Sequence, residues 1–200
     1  DIESLPFLEA IRQLRQEVGR GNSINIHLTL VPFIKSAYEL KTKPTQHSVK
    51  ELQSIGIQPD IIICRSEKAL PESVKEKIAL FCNVPKNSVI SEEDAEIVYE
   101  VPLQLIREGL DEQILDLLNL PHAPKNIKKW EEMVYKIKSA KETVKIGIVG
   151  KYTKHGDSYK SLIEALRHGG LDNNLKVEIL WFDAEEFERS RWNFDSRGFW

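Results

Sequence analysis

The run Asp60-Ile61-Ile62-Ile63-Cys64 constrains the fold of this chain more than any other stretch. Its apolar residues are continuous rather than alternating, the pattern of a parallel strand buried on both faces. Parallel strands need a long crossover between them, usually a helix, and both flanks supply one. Upstream, Asn25 to Val31 alternates and is rich in β-formers (Ile26, Leu28, Leu30, Val31), which reads as a strand ending at Pro32. Residues 46–55 then read as a helix. Downstream, Pro71 takes a first-turn position of a helix that carries Val74, Ile78 and Phe81 on one side. Strands alternating with helices predict an α/β layer with a mostly parallel sheet.

The remaining segments fit that layer. Residues 4–18 form an amphipathic helical pattern, with Leu5, Leu8, Ile11, Leu14 and Val18 on one face and Gly19 and Gly21 as the stop. Val89-Ile90 is a short apolar segment, and Ser91-Glu92-Glu93-Asp94 resembles a capping box opening another short helix. Residues 102–120 are helical and acidic. Pro121-His122-Ala123-Pro124-Lys125 marks a composition shift, where a domain boundary is expected. A helix over about 126–140 leads to an apolar strand, Val144 to Gly150. Asp157 caps a helix from Ser158 to His168, Gly169-Gly170 ends it, and Leu175 to Phe182 is a second strand.

Composition narrows the function classes. The chain of 200 residues is 41% hydrophobic and 30% charged, as for a soluble globular chain. A net charge of −3 supplies no broad basic field for nucleic acid, leaving only local patches such as Lys125, Lys128 and Lys129. No run of 18 or more apolar residues suggests a membrane span. Cys64 and Cys82 lie in apolar runs without metal-ligand spacing, so buried reduced thiols and a cytoplasmic location are expected, with no metal site in the chain.

The candidate site is Lys41-Thr42-Lys43-Pro44-Thr45-Gln46. Two lysines two residues apart, fixed by proline and followed by a helix, gather positive charge beside a helix N-terminus. Phosphate is the natural guest of such an arrangement. Pro44 is expected to hold Lys43 extended and Thr45 to cap the helix. The competing reading of the same residues is a solvated basic turn.

That string and its flanks, Ile26-His27-Leu28-Thr29-Leu30-Val31-Pro32 and Ser54-Ile55-Gly56-Ile57-Gln58-Pro59-Asp60, resemble the CTP synthases, which aminate UTP. The resemblance runs from Asp1 to about Glu188. It implies that residues 1–120 are the C-terminal part of a synthetase domain, a parallel sheet of the phosphate-loop-NTPase-like, dethiobiotin-synthetase-like kind. Residues 121–143 would be a linker helix. Residues 144–200 would begin a class I glutamine amidotransferase domain with its first β-α-β, and 189–200 depart from the family.

The resemblance also implies site residues. Asp1, Ile2 and Glu3 would contact the pyrimidine nucleotide, where carboxylates accept hydrogen bonds from ribose hydroxyls or an amino group. Lys41, Thr42, Lys43, Pro44, Thr45 and Gln46 would form the UTP/CTP loop, joined by Lys77. Glu93, Asp94 and Ala95 would line the ATP adenine pocket, with Arg65 and Phe81 in matching segments near the nucleotides. Gly150-Lys151-Tyr152 and Asp157-Ser158-Tyr159-Lys160-Ser161 match the opening of the glutaminase domain.

The family's phosphate loop and magnesium-binding carboxylates precede the position of Asp1, and its glutaminase Cys, His and Glu follow residue 200. The expectation is therefore an internal fragment with no catalytic residue and no metal ligand of its own. Its parent would use ATP, Mg2+ and glutamine, assemble as a homotetramer, and take GTP as a candidate allosteric effector. The alternative is a non-catalytic pyrimidine-nucleotide-binding or assembly module.

Overall fold

The computed structural model describes residues 2–153 and 156–185. Asp1 and the atypical tail 189–200 lie outside the described residues, as do the side chains of Ile2 and Asp157. The chain divides into two compact units, Asp1–Lys125 and Asn126–Trp200.

In the first unit a short 3-10 turn, Ile2–Ser4, leads into α1 (Leu5–Val18). Strand β1 (Ile26–Leu30) follows, then a small antiparallel hairpin of β2 (Phe33–Ile34) and β3 (Glu39–Leu40), and helix α2 (Lys43–Ser54). Next come β4 (Ile61–Ser66), α3 (Glu72–Cys82) and β5 (Val89–Glu93), and finally α4 (Val101–Arg107) and α5 (Leu110–Leu117). The sheet order is β1-β4-β5, parallel throughout, with Ile26 opposite Ile61 and Ile62 opposite Val89.

The central strand is buried on both faces, as its unbroken apolar run predicts. Ile62 and Cys64 enter a core with Val49 of α2 and Ile78, Ala79 and Cys82 of α3. On the opposite face Ile61 packs with Ile90 and Leu110, and Ile63, Leu105 and Ile114 lie against them. Removing a fully buried isoleucine such as Ile62 would cost about 2–5 kcal/mol by lost transfer energy and the cavity left behind.

Several local expectations are corrected. Ser91 to Glu93 do not open a helix. They extend β5, because pairing of Ser91 with Cys64 and of Glu93 with Ser66 satisfies their backbone groups in the sheet. Thr45 is not a cap and Lys43 is not extended. Helix α2 begins at Lys43 with Thr42 at the N-cap, and proline is tolerated in the first turn, where its missing N–H is no loss. The acidic stretch 102–120 is two helices, broken at Gly109, whose φ of +77° only glycine adopts without strain. The predicted apolar face of α1 has no buried residue: Leu5, Ile11 and Leu14 are about half exposed.

In the second unit α6 (Lys128–Ser139) precedes β6 (Glu142–Gly150), α7 (Lys160–Asp172) and β7 (Leu175–Asp183), with β6 and β7 parallel. Gly169-Gly170 does not end α7, which continues to Asp172. Gly170 is buried against Val177 and the Leu175 carbonyl, so its missing Cβ serves helix-to-strand packing rather than termination. Tyr159, in the 3-10 turn Gly156–Tyr159 before α7, packs on Trp181 with ring centroids 5.2 Å apart.

Candidate functional site

In an open parallel sheet, ligands bind beyond the carboxyl ends of the strands, where the connecting loops gather. Several candidate residues of the first unit fall there. The carboxyl end of β1 runs into the hairpin and then Lys41. That of β4 carries Arg65 and Ser66, and that of β5 ends at Glu93, followed by Asp94 and Ala95.

The segment Lys41 to Gln46 is locked from behind. The Lys41 N–H donates to the Pro32 carbonyl at 3.0 Å, closing the hairpin. Thr42 is buried, its hydroxyl accepting from Gln46 Nε2 at 3.0 Å. Thr45 is fully buried, and its hydroxyl lies 3.2 Å from both Thr29 Oγ1 and the Leu30 carbonyl. The two threonines and Gln46 therefore hold the loop, while Lys43 and Pro44 are exposed. No side chain caps the first turn of α2, so the positive end of its dipole is not offset by a capping side chain.

A carboxylate stands beside the loop. Lys41 Nζ sits 2.5 Å from Glu39 Oε2. The Lys41 ammonium, by hydrogen bond and by charge, holds the Glu39 carboxyl below its ordinary range, and the charge of Lys77 from α3 adds to this.

At the β4 and β5 ends, Arg65 Nη2 pairs with Asp94 Oδ1 at 3.3 Å. The Asp94 N–H donates to the Ser66 carbonyl and the Glu93 N–H to Gln104 Oε1. Arg65 and Asp94 are more than half exposed, so this pair is weak and free to rearrange. Phe81 is 51% exposed near the end of α3, on the side of the amino ends of the strands, where the neighbouring Cys82 carbonyl accepts from Gln58 just ahead of β4; the structure does not bring it to the other candidates. Glu3 is exposed just ahead of α1.

Two features escaped sequence reading. The hairpin strands are two residues each, too short for periodicity to show. The Lys68 ammonium lies 4.0 Å from the Phe33 ring centroid and 4.5 Å from that of Tyr38, so a cation between two aromatic rings pins the hairpin to the loop after β4. Cys64 and Cys82 are buried and free, and burial pushes both thiols up to about 11. Neither suits a nucleophile. Among the described residues no group of three or more His, Cys, Asp or Glu is placed to hold a metal ion, and no helix is long and apolar enough to cross a membrane.

Residues 1–120 match the family profile described as the CTP synthase N-terminus. The chain belongs to the CTP synthase family. Its similarity to curated CTP synthases extends well past that match. It is 58% identical to the CTP synthase of Hydrogenobaculum sp. (strain Y04AAS1) over 185 residues, which is 92% of this chain and 35% of that protein. It is 54% identical to that of Ruminiclostridium cellulolyticum over 96% of this chain and 36% of the relative. The CTP synthase of Aquifex aeolicus is 54% identical over 99% of this chain and 37% of its own length. The chain thus spans little more than a third of the CTP synthases it matches.

Proposed function

We propose that this chain is a segment of an enzyme that aminates UTP to CTP, using ATP and ammonia released from glutamine. The observation that carries the reading is the lysine loop itself, with Lys43 exposed beside the uncapped first turn of α2 and the buried Thr42 and Thr45 holding it at the carboxyl edge of a parallel sheet. Ammonium groups and a helix N-terminus both favour a polyphosphate.

In this reading Lys41, Lys43 and Lys77 hold the triphosphate of UTP or CTP, and Gln46 lies within the same loop. Asp1, Ile2 and Glu3 read the pyrimidine nucleotide. Glu93, Asp94 and Ala95 line the adenine pocket of ATP, with Arg65 close by. ATP activates the uracil oxygen for displacement by ammonia. The carboxylates that bind Mg2+, the phosphate loop and the glutamine-hydrolysing residues belong to parts of the enzyme outside this chain, and GTP is its allosteric effector.

Unit one is then the C-terminal part of the synthetase domain, of phosphate-loop-NTPase-like architecture, and β6-α7-β7 opens the class I glutaminase domain after the linker helix α6. The half-exposed apolar face of α1 suits a subunit contact in a homotetramer, with a pyrimidine site shared between chains. Buried, unpaired Cys64 and Cys82 suit the reducing cytoplasm.

The test is the full-length protein carrying this chain, supplied with UTP, ATP, Mg2+ and ammonia. CTP formation that depends on UTP is expected. No UTP-dependent product with ammonia supplied contradicts the assignment.

A further inference from the structure

Glu39 stands out because it places a carboxylate among the lysines assigned to phosphate. Its Oε2 lies 2.5 Å from Lys41 Nζ, and it also feels the charge of Lys77. It belongs to β3 and lies opposite Ile34 in the hairpin.

The ion pair is not what holds the hairpin. Backbone pairing of Phe33 with Leu40 and the Lys41 N–H to Pro32 bond close it, Leu40 packs against the buried core, and Lys68 braces Phe33 and Tyr38. The Glu39 and Lys41 side chains are 55% and 44% exposed, so their pair forms and breaks at little cost.

We propose that Glu39 is an internal counter-ion that competes with nucleotide phosphate for Lys41. An ammonium shared with a carboxylate offers less to an incoming anion, and the carboxylate repels that anion directly. That repulsion grows with the charge of the ligand, so it weighs most on a polyphosphate. Glu39 thereby lowers the affinity of the site and keeps it from saturating with ligand. This rests on the nucleotide assignment of the lysine loop.

The test compares wild type, Glu39→Gln and Glu39→Ala in the full-length protein by isothermal titration with UTP, UDP and UMP at fixed ionic strength. Both variants should bind UTP about two- to fivefold more tightly, the span of one exposed ion pair. UTP, which carries the greater negative charge, should gain the larger relative benefit, so that selectivity for UTP over UMP widens. Glu39→Asp, which keeps the charge, should stay near wild type. In turnover the gain should appear as a lower KM for UTP, not a higher kcat. Unchanged or weaker UTP binding in folded Glu39→Gln and Glu39→Ala overturns the proposal and makes Glu39 a residue that orients Lys41. If wild type itself does not bind UTP, the nucleotide assignment fails, and the proposal with it.

Discussion

Arg15 of α1 forks onto Asp60, the residue just before β4, with Nη1 to Oδ2 at 2.5 Å and Nη2 to Oδ1 at 2.8 Å. Both side chains are only 20% exposed, and Asp60 Oδ2 also accepts the Asn25 N–H at 2.7 Å. One carboxylate therefore ties α1 to the entrances of β1 and β4. Since no residue of α1 is fully buried, this fork is a main anchor of the helix. Arg15→Ala should destabilise the unit by about 1.5–3 kcal/mol, as for a charge-assisted pair. A shift in urea midpoint at constant m-value would measure it. No shift would mean that α1 is held by other contacts.

Acid should weaken the protein through His27. Its ring nitrogen Nε2 lies 2.8 Å from Ser48 Oγ, tying β1 to α2, and burial lowers its pKa below the ordinary histidine value. The unfolded chain then binds the proton more readily than the native one, so stability rises with pH in this range. The contribution is present in full above the unfolded pKa, near 6.5. It declines as pH falls toward the lower folded value. His27→Gln should flatten the pH dependence of the melting temperature between about 7 and 5. An unchanged slope would assign the acid sensitivity to other groups.

Cys64 and Cys82 should be inert in the native state. Thiolate is the reactive form, and pKa values near 11 leave little of it at pH 8. Iodoacetamide at pH 8 should leave both unmodified in the folded protein and alkylate both in urea, as read by intact mass. Rapid native alkylation would show that the core around Cys64 opens.

How far the sequence disclosed this structure depended on whether the deciding interactions were local. The burial of Ile61 to Cys64 on both faces was legible because an unbroken apolar run has few alternatives. Ser91 to Glu93 misled because their capping-box spacing is a local signal, whereas the strand they join is fixed by β4, more than twenty residues earlier. The α1 stripe was legible as a helix but not as an exposed one, since periodicity reports a face and not what covers it. At the site, the lysine string could be read directly. The ion pair of Glu39 with Lys41 could not, because it depends on the short hairpin of β2 and β3.

Assembly should respond to nucleotide if the pyrimidine site is shared between subunits. Ligand bound only by the assembled form stabilises that form by mass action. Sedimentation of the full-length protein with UTP and ATP should show dimers moving to tetramers, and Glu3→Lys should weaken the shift. A distribution that ignores saturating nucleotide would make Glu3 a helix-start residue only.

The lysine loop carries the central claim, and its affinity for UTP tests it most directly. Lys41, Lys43 and Lys77 should each contribute on the order of 1.5–3 kcal/mol to phosphate binding. That corresponds to roughly one to two decades in Kd. Measured by titration of the full-length protein with UTP, Lys43→Ala should therefore weaken binding about ten- to hundredfold while the melting temperature, set by the buried Thr42 and Thr45 behind the loop, stays near wild type. An unchanged UTP isotherm in folded Lys43→Ala, and likewise in Lys41→Ala and Lys77→Ala, would return these residues to a solvated basic turn.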